Sequence, residues 1–316
     1  MNENSILGVS FSRDAIQFVE AEMWEDAPSI TNIAETKLDV PLDANAFKNS
    51  ELIPHFATLI DNTVDSSSLH ARDVRLSLYQ NLALIKSFPM ETALQDQDIR
   101  HHIEWELEQS LISPRDHYNV GFEIYSQNNS KSAVIVAALR KSVIHYVQDI
   151  FKKSLVSLKS IDIDLTAELR ALNRLGGSAM NGINVLVHYD GLYFQLALLK
   201  NGTFVSSFFV DTQLSADALA DNEETAGSVI VNAVQNLCEH NGLDQSDVKA
   251  LFLSGHPLDK GSFSTIQQTV DQSVKKADSF EALNRQLNLE AEEYAKNTPE
   301  KFLAAVGMVF EDTGGN

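Results

Sequence analysis

The sequence predicts an α/β protein of two lobes, each opening on hairpin-linked strands and continuing with alternating helices and strands. Three observations predict this. "ILGVSFSRDAIQFVEAE" (Ile6 to Glu22) and "NVLVHYDGLYFQLALLKNG" (Asn184 to Gly202) each read as a strand, a short polar turn and a strand, which suggests an internal duplication. A compact block at about residues 81–158 reads β-α-β-β-α and interrupts the first half. The 316 residues are 44% hydrophobic, enough for about two packed domains.

In chain order, strands are expected at Ile6–Val9, Ala15–Ala21 and roughly Ser29–Leu38. "ELIPHFATLIDNTV" reads as a helix, and "DVRLSLY" and "ALIKSFPM" return to strand character. The helix "DQDIRHHIEWELEQSL" places Ile99, Ile103, Leu107 and Leu111 in one apolar row, with Pro114 beyond its end. Strands "HYNVGFEIYS" and "SAVIVAAL" follow, joined by "QNNSK", and the helix "SVIHYVQDIFKKSL" ends the block. "KSIDIDLTAELRALNRLGG" is a strand entering a helix, which Gly176 and Gly177 would stop. Three strands follow, with turns at Tyr189–Gly191 and at Asn201–Gly202, a strong hairpin signal. The remaining expectations are a helix at Ser228–Glu239, a strand at Val248–Leu253, and helices at Ser264–Val270 and Pro299–Phe310. "NRQLNLEAEEYAKNTPE" reads as an acidic, solvated link.

Composition narrows the function classes. The 24 basic against 44 acidic residues give a formal charge of −20, which opposes binding to nucleic acid or to an anionic membrane face. Cys238 is the sole cysteine, so there is no internal disulfide framework and no cysteine-rich zinc site; it reads as a small core residue. "MNENS" lacks the basic and apolar regions of a secretory signal, and no apolar run reaches the ~20 residues that span a bilayer. The expected location is therefore cytoplasmic, with any membrane association through a partner.

Common catalytic signatures are missing. There is no G-x-x-x-x-G-K-[ST] and no G-x-G-x-x-G, and "GHPLDKGS" has the wrong spacing for the first. "GVSFS" is one residue short of a nucleophile elbow and runs into a strand rather than a helix. In "HHIEWE", His102 and Glu106 share a helix face, but two ligands do not make a metal site; a solvated face with His–Glu pairing explains them.

The stretch "IEWELEQSLISPRDHYNVGFEI" resembles the inserted subdomain of PilM-type pilus assembly proteins, relatives of the division protein FtsA in the actin/Hsp70 ATPase class. "VIVAALRKSVIHYVQDIFKKS", "KSIDIDLTAELRAL", "ALFLSGHPL" and "PEKFLAAVGMVF" resemble later segments of that family in the same order. The resemblance implies a two-domain actin-like (ribonuclease H-like) fold, with a reduced insertion in its second domain. "TQLSADALADNEETAG" alone fills the gap where the family has a small subdomain. The implied division is a first domain at 1–80 and 159–180, an inserted subdomain at 81–158 and a second domain at 181–316.

That family implies ATP in a cleft between the domains, with a hairpin from each gripping phosphates and carboxylates holding Mg²⁺ through water. Carried over, Ser10, Ser12 and Arg13 fall on the first hairpin, and Ser10 stands where the family has Asp. The second hairpin's Asp-x-Gly falls on His188, Tyr189 and Asp190, so the acid is displaced to Asp190, beside Gly191. Gly255 marks the adenine-side turn, where His256 and Pro257 follow in place of a second glycine. Asp164 stands for the acid of the return strand, with Asp162 competing.

A lost magnesium anchor and a lost glycine predict a vestigial nucleotide cleft, no resident cofactor and no catalytic residue. The implied function is a cytoplasmic scaffold of a type IV pilus or related secretion machine. It would dock the short cytoplasmic tail of an inner-membrane partner, in a groove of the first domain near "DVRLSLYQ" and the inserted block. Two alternatives stand beside it: an ATP-binding protein or kinase with altered phosphate loops, and a component like the secretion protein GspL.

Overall fold

The computed structural model describes residues 5–24, 27–91, 96–126, 131–175, 180–211, 226–258, 260–270, 273–281 and 283–310. Its first sheet has β1 (Ser5–Phe11), β2 (Ala15–Trp24), β3 (Ala27–Lys37), β4 (Asp73–Leu78), β8 (Ser157–Ile163) and the short β14 (Asn284–Arg285). The strand order is β14-β3-β2-β1-β4-β8. The second sheet has β9 (Ile183–Tyr189), β10 (Tyr193–Lys200), β11 (Thr203–Asp211), β12 (Val248–Gly255) and β13 (Ser273–Lys276), in the order β11-β10-β9-β12-β13.

The two sheets follow one plan. In each, an antiparallel three-strand arm is followed by parallel strands: β1 runs parallel to β4 as β9 does to β12. The duplication suggested by the hairpins is therefore present in the topology. The reason is legible in β1 and β9, whose residues are buried almost without alternation, as central strands covered on both faces must be.

The inserted block is a separate three-stranded antiparallel sheet, β5 (Ala83–Glu91), β7 (Lys131–Arg140) and β6 (Tyr118–Ser126), in the order β5-β7-β6. Helix α2 (Asp96–Glu108) covers one face through Ile99, Ile103 and Leu107, the expected apolar row. Leu111 lies beyond the helix end and only half-buried. Glu106 pairs with Lys86 of β5 at 3.3 Å, and the His102 ring lies against Phe88 and Trp105. Lys86 and Phe88 of the strand beneath α2, with Trp105 of α2 itself, are thus the partners, and the expected His–Glu pairing is replaced.

Helix α1 (Leu52–Ser66) packs Phe56 and Ile60 on the outer face of the first sheet, against Phe11, Ile16 and Phe18, and α3 (Lys141–Lys153) completes that core. Helix α5 (Ala226–His240) and α6 (Lys260–Thr269) do the same for the second sheet, with Cys238 buried among them as expected. The masses of the two sheets meet on α4 (Asp164–Leu175) and α8 (Leu303–Val309). All seven residues of α8 are buried, as are six consecutive residues of α4 from Asp164 to Leu169. A helix apolar all round belongs inside a fold, and each fully buried Leu, Ile or Val contributes about 1.5–3 kcal/mol. Gly307 makes the contact of the two helices possible: a Cβ there would stand 1.8 Å from the Ala167 carbonyl oxygen.

The late part of the chain departs most from the expectations. The stretch read as a solvated link holds β14, parallel to β3, and helix α7 (Leu289–Asn297), whose Ala291 and Ala295 are buried. The expected helix at 299–310 begins as a 3-10 turn, Pro299–Phe302, before α8. Strand β14 and α8 pack with the first sheet, so a division that runs 181–316 as one unit leaves out this return. Residues 212–225 of the shortened insertion, the turn "QNNSK" in all but its last residue, and the glycine stop at 176–177 lie outside the described residues.

Candidate functional site

Two places in the fold concentrate polar chemistry, the cleft between the lobes and a groove between sheet edges. The cleft gathers most of the residues expected there. Asp164 is the first residue of α4, where β8 ends, and is 1% exposed. Its Oδ1 accepts hydrogen bonds from Ser77 Oγ at 2.7 Å and Ser10 Oγ at 3.3 Å. Burial is the main cause that pushes its pKa up, to about 7, with the Glu168 charge adding to it and His188 opposing it.

Glu168 follows one turn later on the same face of α4 and reaches into the other lobe. Its Oε1 lies 2.8 Å from His188 Nδ1 on β9, and its Oε2 accepts from Ser254 Oγ of β12 at 3.0 Å. All three side chains are buried. Burial alone would lower the His188 pKa, but the Glu168 carboxylate outweighs it and the imidazole is raised to about 9. This trio is not a nucleophilic triad: Ser254 and Glu168 both approach Nδ1, and the hydroxyl donates to the carboxylate.

Asp190 is also buried. Its Oδ1 accepts from the amides of Leu192 and Tyr193 at 2.9 and 2.8 Å, closing the β9–β10 turn, and its Oδ2 accepts from Asn81 Nδ2 at 2.6 Å. Burial raises its pKa. Gly191 sits in that turn at φ +95° with open space around it. Ser12 is consumed inside its own turn: its Oγ donates to the Ala15 carbonyl at 2.9 Å and accepts from the Ala15 amide at 3.2 Å. Arg13 lies close enough for its charge to act on Asp43 and Asp190.

Gly255 has φ +84°, and a Cβ there would stand 2.3 Å from the Tyr189 carbonyl oxygen, so only glycine fits. The next amide, of His256, donates to that same carbonyl at 2.6 Å, and His256 Nδ1 faces Asp14 Oδ2 of the first hairpin at 3.5 Å across the mouth. Behind this turn lies a cavity of about 470 Å³ lined by Tyr189, Leu258 and Phe263, with Lys276 and Glu300 at one side.

A nucleoside triphosphate with its divalent cation needs free amide donors at the turns and carboxylates open to the ion. At these turns the amides of Ser12, Asp190 and His256 are bonded within the chain, and Asp164, Glu168 and Asp190 are engaged by side chains or backbone. As they stand, these groups are not free to hold Mg-ATP.

The second place is a groove of about 1120 Å³ between β8 and β6, floored in part by α3, and lined by Tyr118, Gly121, Ala137, Ile161 and Asp162. Both strands are sheet edges: β8 pairs only with β4, and β6 only with β7, among the described residues. A neighbouring hollow of about 450 Å³ shares Gly121, Ala137, Ile161 and Asp162 and extends the groove to Arg174 and Phe310. Asp162, the expected competitor of Asp164, belongs here. Its Oδ1 accepts from Thr166 Oγ1 and its Oδ2 from Arg170 at 2.5 Å, while Arg170 also pairs with Glu123 of β6 at 2.8 Å. Strand β4, the "DVRLSLYQ" segment, is covered by β1 and β8, so the groove lies one strand over from it.

Sequence reading missed Ser77, Asn81, Glu168 and Ser254. Glu168 carried a signal: an acid on the apolar face of a helix, four residues after Asp164.

Comparison with known proteins agrees with this architecture. The family model described as "Type IV pilus assembly protein PilM" matches residues 8–205. The chain is similar in structure to one in a "PilM-PilN type IV pilus biogenesis complex", with TM-score 0.75 and 15% identity over 96% of this chain and 97% of that one. A Bacteroides thetaiotaomicron protein with an actin-like ATPase fold matches with TM-score 0.53 and 11% identity, covering 86% and 91% of the two chains. The cytoplasmic domain of EpsL, an inner membrane component of the Vibrio cholerae type II secretion system, matches with TM-score 0.42 and 12% identity over 84% and 93%. No curated protein matches in sequence. Among the described residues no helix is long and apolar enough to cross a membrane. With its two actin-like lobes, its inserted three-stranded sheet and a family match over well more than half its length, the chain belongs to the type IV pilus assembly protein PilM family.

Proposed function

We propose that this protein is a docking scaffold of a type IV pilus or related secretion machine, and that it works without ATP hydrolysis. The groove between β8 and β6 receives the short cytoplasmic tail of a single-span inner-membrane partner of the PilN kind. The protein then sits on the cytoplasmic face of the membrane through that partner. One observation carries the reading: two strand edges line one groove, each with its second side unpaired by any described strand. An extended segment entering such a groove gains main-chain hydrogen bonds from an edge and takes specificity from side-chain pockets. The interlobe cleft is read as vestigial, because its buried carboxylates and the amides of Ser12, Asp190 and His256 are already paired.

Gly121 offers a direct test. It lines the groove on β6, and a Cβ there meets nothing within 4 Å, so the side chain of Gly121→Arg starts into open space beside the groove. Peptides copying the cytoplasmic tails of membrane proteins encoded beside this gene should bind by fluorescence anisotropy. The arginine variant should lose that binding at an unchanged melting temperature. Mg-ATP added to the wild type should give no heat by calorimetry. Failure of every such tail to bind would end the docking reading, and saturable heat from Mg-ATP would end the pseudo-ATPase reading.

A further inference from the structure

The cleft holds a buried arrangement that neither the docking groove nor the hairpin turns require. Carboxylates from both lobes converge on one histidine: Glu168 from α4 by direct contact, with the charges of Asp164 and Asp190 also acting on it. His188 is 5% exposed, Glu168 1% and Asp164 1%. No lysine or arginine is bonded to any of these three carboxylates among the contacts that fix them. Asp164 is held by two serines, Asp190 by amides and Asn81, and Glu168 by Ser254 and His188. Buried carboxylates gathered with no cation bonded to them, Arg13 acting on Asp190 through its charge alone, repel one another and lose their hydration. A protein of this shape can neutralise them with a bound divalent ion or with a cation of its own.

We propose that protonated His188 is the resident cation of the interlobe cleft, occupying from within the chain the role a divalent metal would otherwise have to fill, and fastening the second lobe to α4 without any ligand. The pieces fit this role. The imidazolium Nδ1–H donates to Glu168 Oε1, the Ser254 hydroxyl donates to Glu168 Oε2, and both carboxylate oxygens are thereby engaged. Glu168 belongs to one lobe, and His188 and Ser254 to the other, so the bond is also a clasp. The raised imidazole pKa keeps the ring charged at neutral pH. A metal ion would need those same oxygens and the space the ring fills. This inference deepens the reading of the cleft as vestigial and is independent of what the groove binds.

A charge-deletion cycle tests it, with His188→Ala, Glu168→Gln and the double variant followed by thermal unfolding, with and without millimolar Mn²⁺ or Mg²⁺. The wild type should show no shift with either ion. His188→Ala should melt well below the wild type and recover part of the loss when either ion is added. The double variant should melt above His188→Ala and ignore both ions. A wild-type melting temperature raised by the ions would overturn the proposal, as would a His188→Ala protein as stable as the wild type. A double variant no more stable than His188→Ala would do the same. Should His188→Ala fail to fold, soluble yield replaces melting: a soluble double variant supports the proposal and an insoluble one overturns it. Calorimetry with Mg-ATP separates the two ideas, since heat from the wild type sinks the pseudo-ATPase reading. A failed charge cycle sinks only the role of His188.

Discussion

The cleft and the groove lie on opposite sides of the start of α4, and two acids two residues apart show how differently the fold treats them. Asp164 turns into the cleft, where it is buried and bonded to Ser10 and Ser77. Asp162 turns into the groove, partly exposed, and holds Arg170 in the wall. In the cleft Glu168 is paired with His188 and Ser254, and Asp190 with Asn81, across the lobes, while Asp164 is held by serines of the first sheet. In the groove two sheet edges have no strand neighbour on their outer sides among the described residues. A buried hydrogen-bonded network rigidifies a fold, whereas an unpaired edge is a template for another strand. This difference is what the proposed docking role of the groove rests on.

The sharpest way to break this contrast is Glu168→Ala. It strands the buried His188 cation, and losing one partner of a buried pair costs about 3–5 kcal/mol. Urea unfolding should report that loss, while tail binding to the folded fraction stays unchanged.

Next in size is the pH response of the cleft. His188 has a folded pKa of about 9, above its ordinary value of 6.5, so its stabilisation is complete below pH 6.5 and is lost as pH rises through 9. Asp164 is raised from 3.8 to about 7, so its contribution also falls as pH rises across that interval. Stability should therefore decline from pH 6.5 to 9, by on the order of 3 kcal/mol, a decline that His188→Gln flattens. A urea midpoint that stays level or rises across that range counts against a charged His188.

Gly255→Ala is a smaller perturbation. It imposes a Cβ on a residue at φ +84° facing the Tyr189 carbonyl, and strain of this kind costs roughly 1–3 kcal/mol. A lower melting temperature without altered tail affinity is the expected result. Smallest is Asp14→Asn at the cleft mouth. The Asp14–His256 pair is about half exposed at 3.5 Å, and exposed pairs are worth roughly 0–1 kcal/mol. Its removal should be almost silent in thermal unfolding, which places the strength of the cleft in its buried interior.

Much of this was legible in the sequence where the local signal and the fold agree. Asn201 and Gly202, both at positive φ, form the hairpin turn that the Asn-Gly pair announces. The Ile99, Ile103 and Leu107 row identifies the buried face of α2. Strand β13 and strand β14 escaped because they are short and polar, four and two residues long, and are strands only by virtue of the neighbour they join. Helix α7 was hidden by its acids, since it buries little more than Ala291 and Ala295. In the site, the sequence placed Asp164, Asp190 and Gly255 at the cleft through resemblance. It could not choose between Asp162 and Asp164, a choice made by the direction each side chain takes where β8 becomes α4. Glu168, Ser254 and Asn81 meet their partners across separations of 20, 86 and 109 residues, which no local pattern encodes.

The return of α8 to the first sheet has a consequence for how the protein is made. Strands β1 and β2 leave the ribosome before the second lobe, whereas β14 and α8, which extend and cover their sheet, leave it after the strands of that lobe. Domains generally fold as units during synthesis, at about 5–20 residues per second. Here the first lobe must wait, with Gly8 of β1 facing the empty place of Ala305, until the whole second lobe has been translated. The nascent chain therefore keeps the sheet face that α8 covers exposed until then, and the two lobes reach their finished state together.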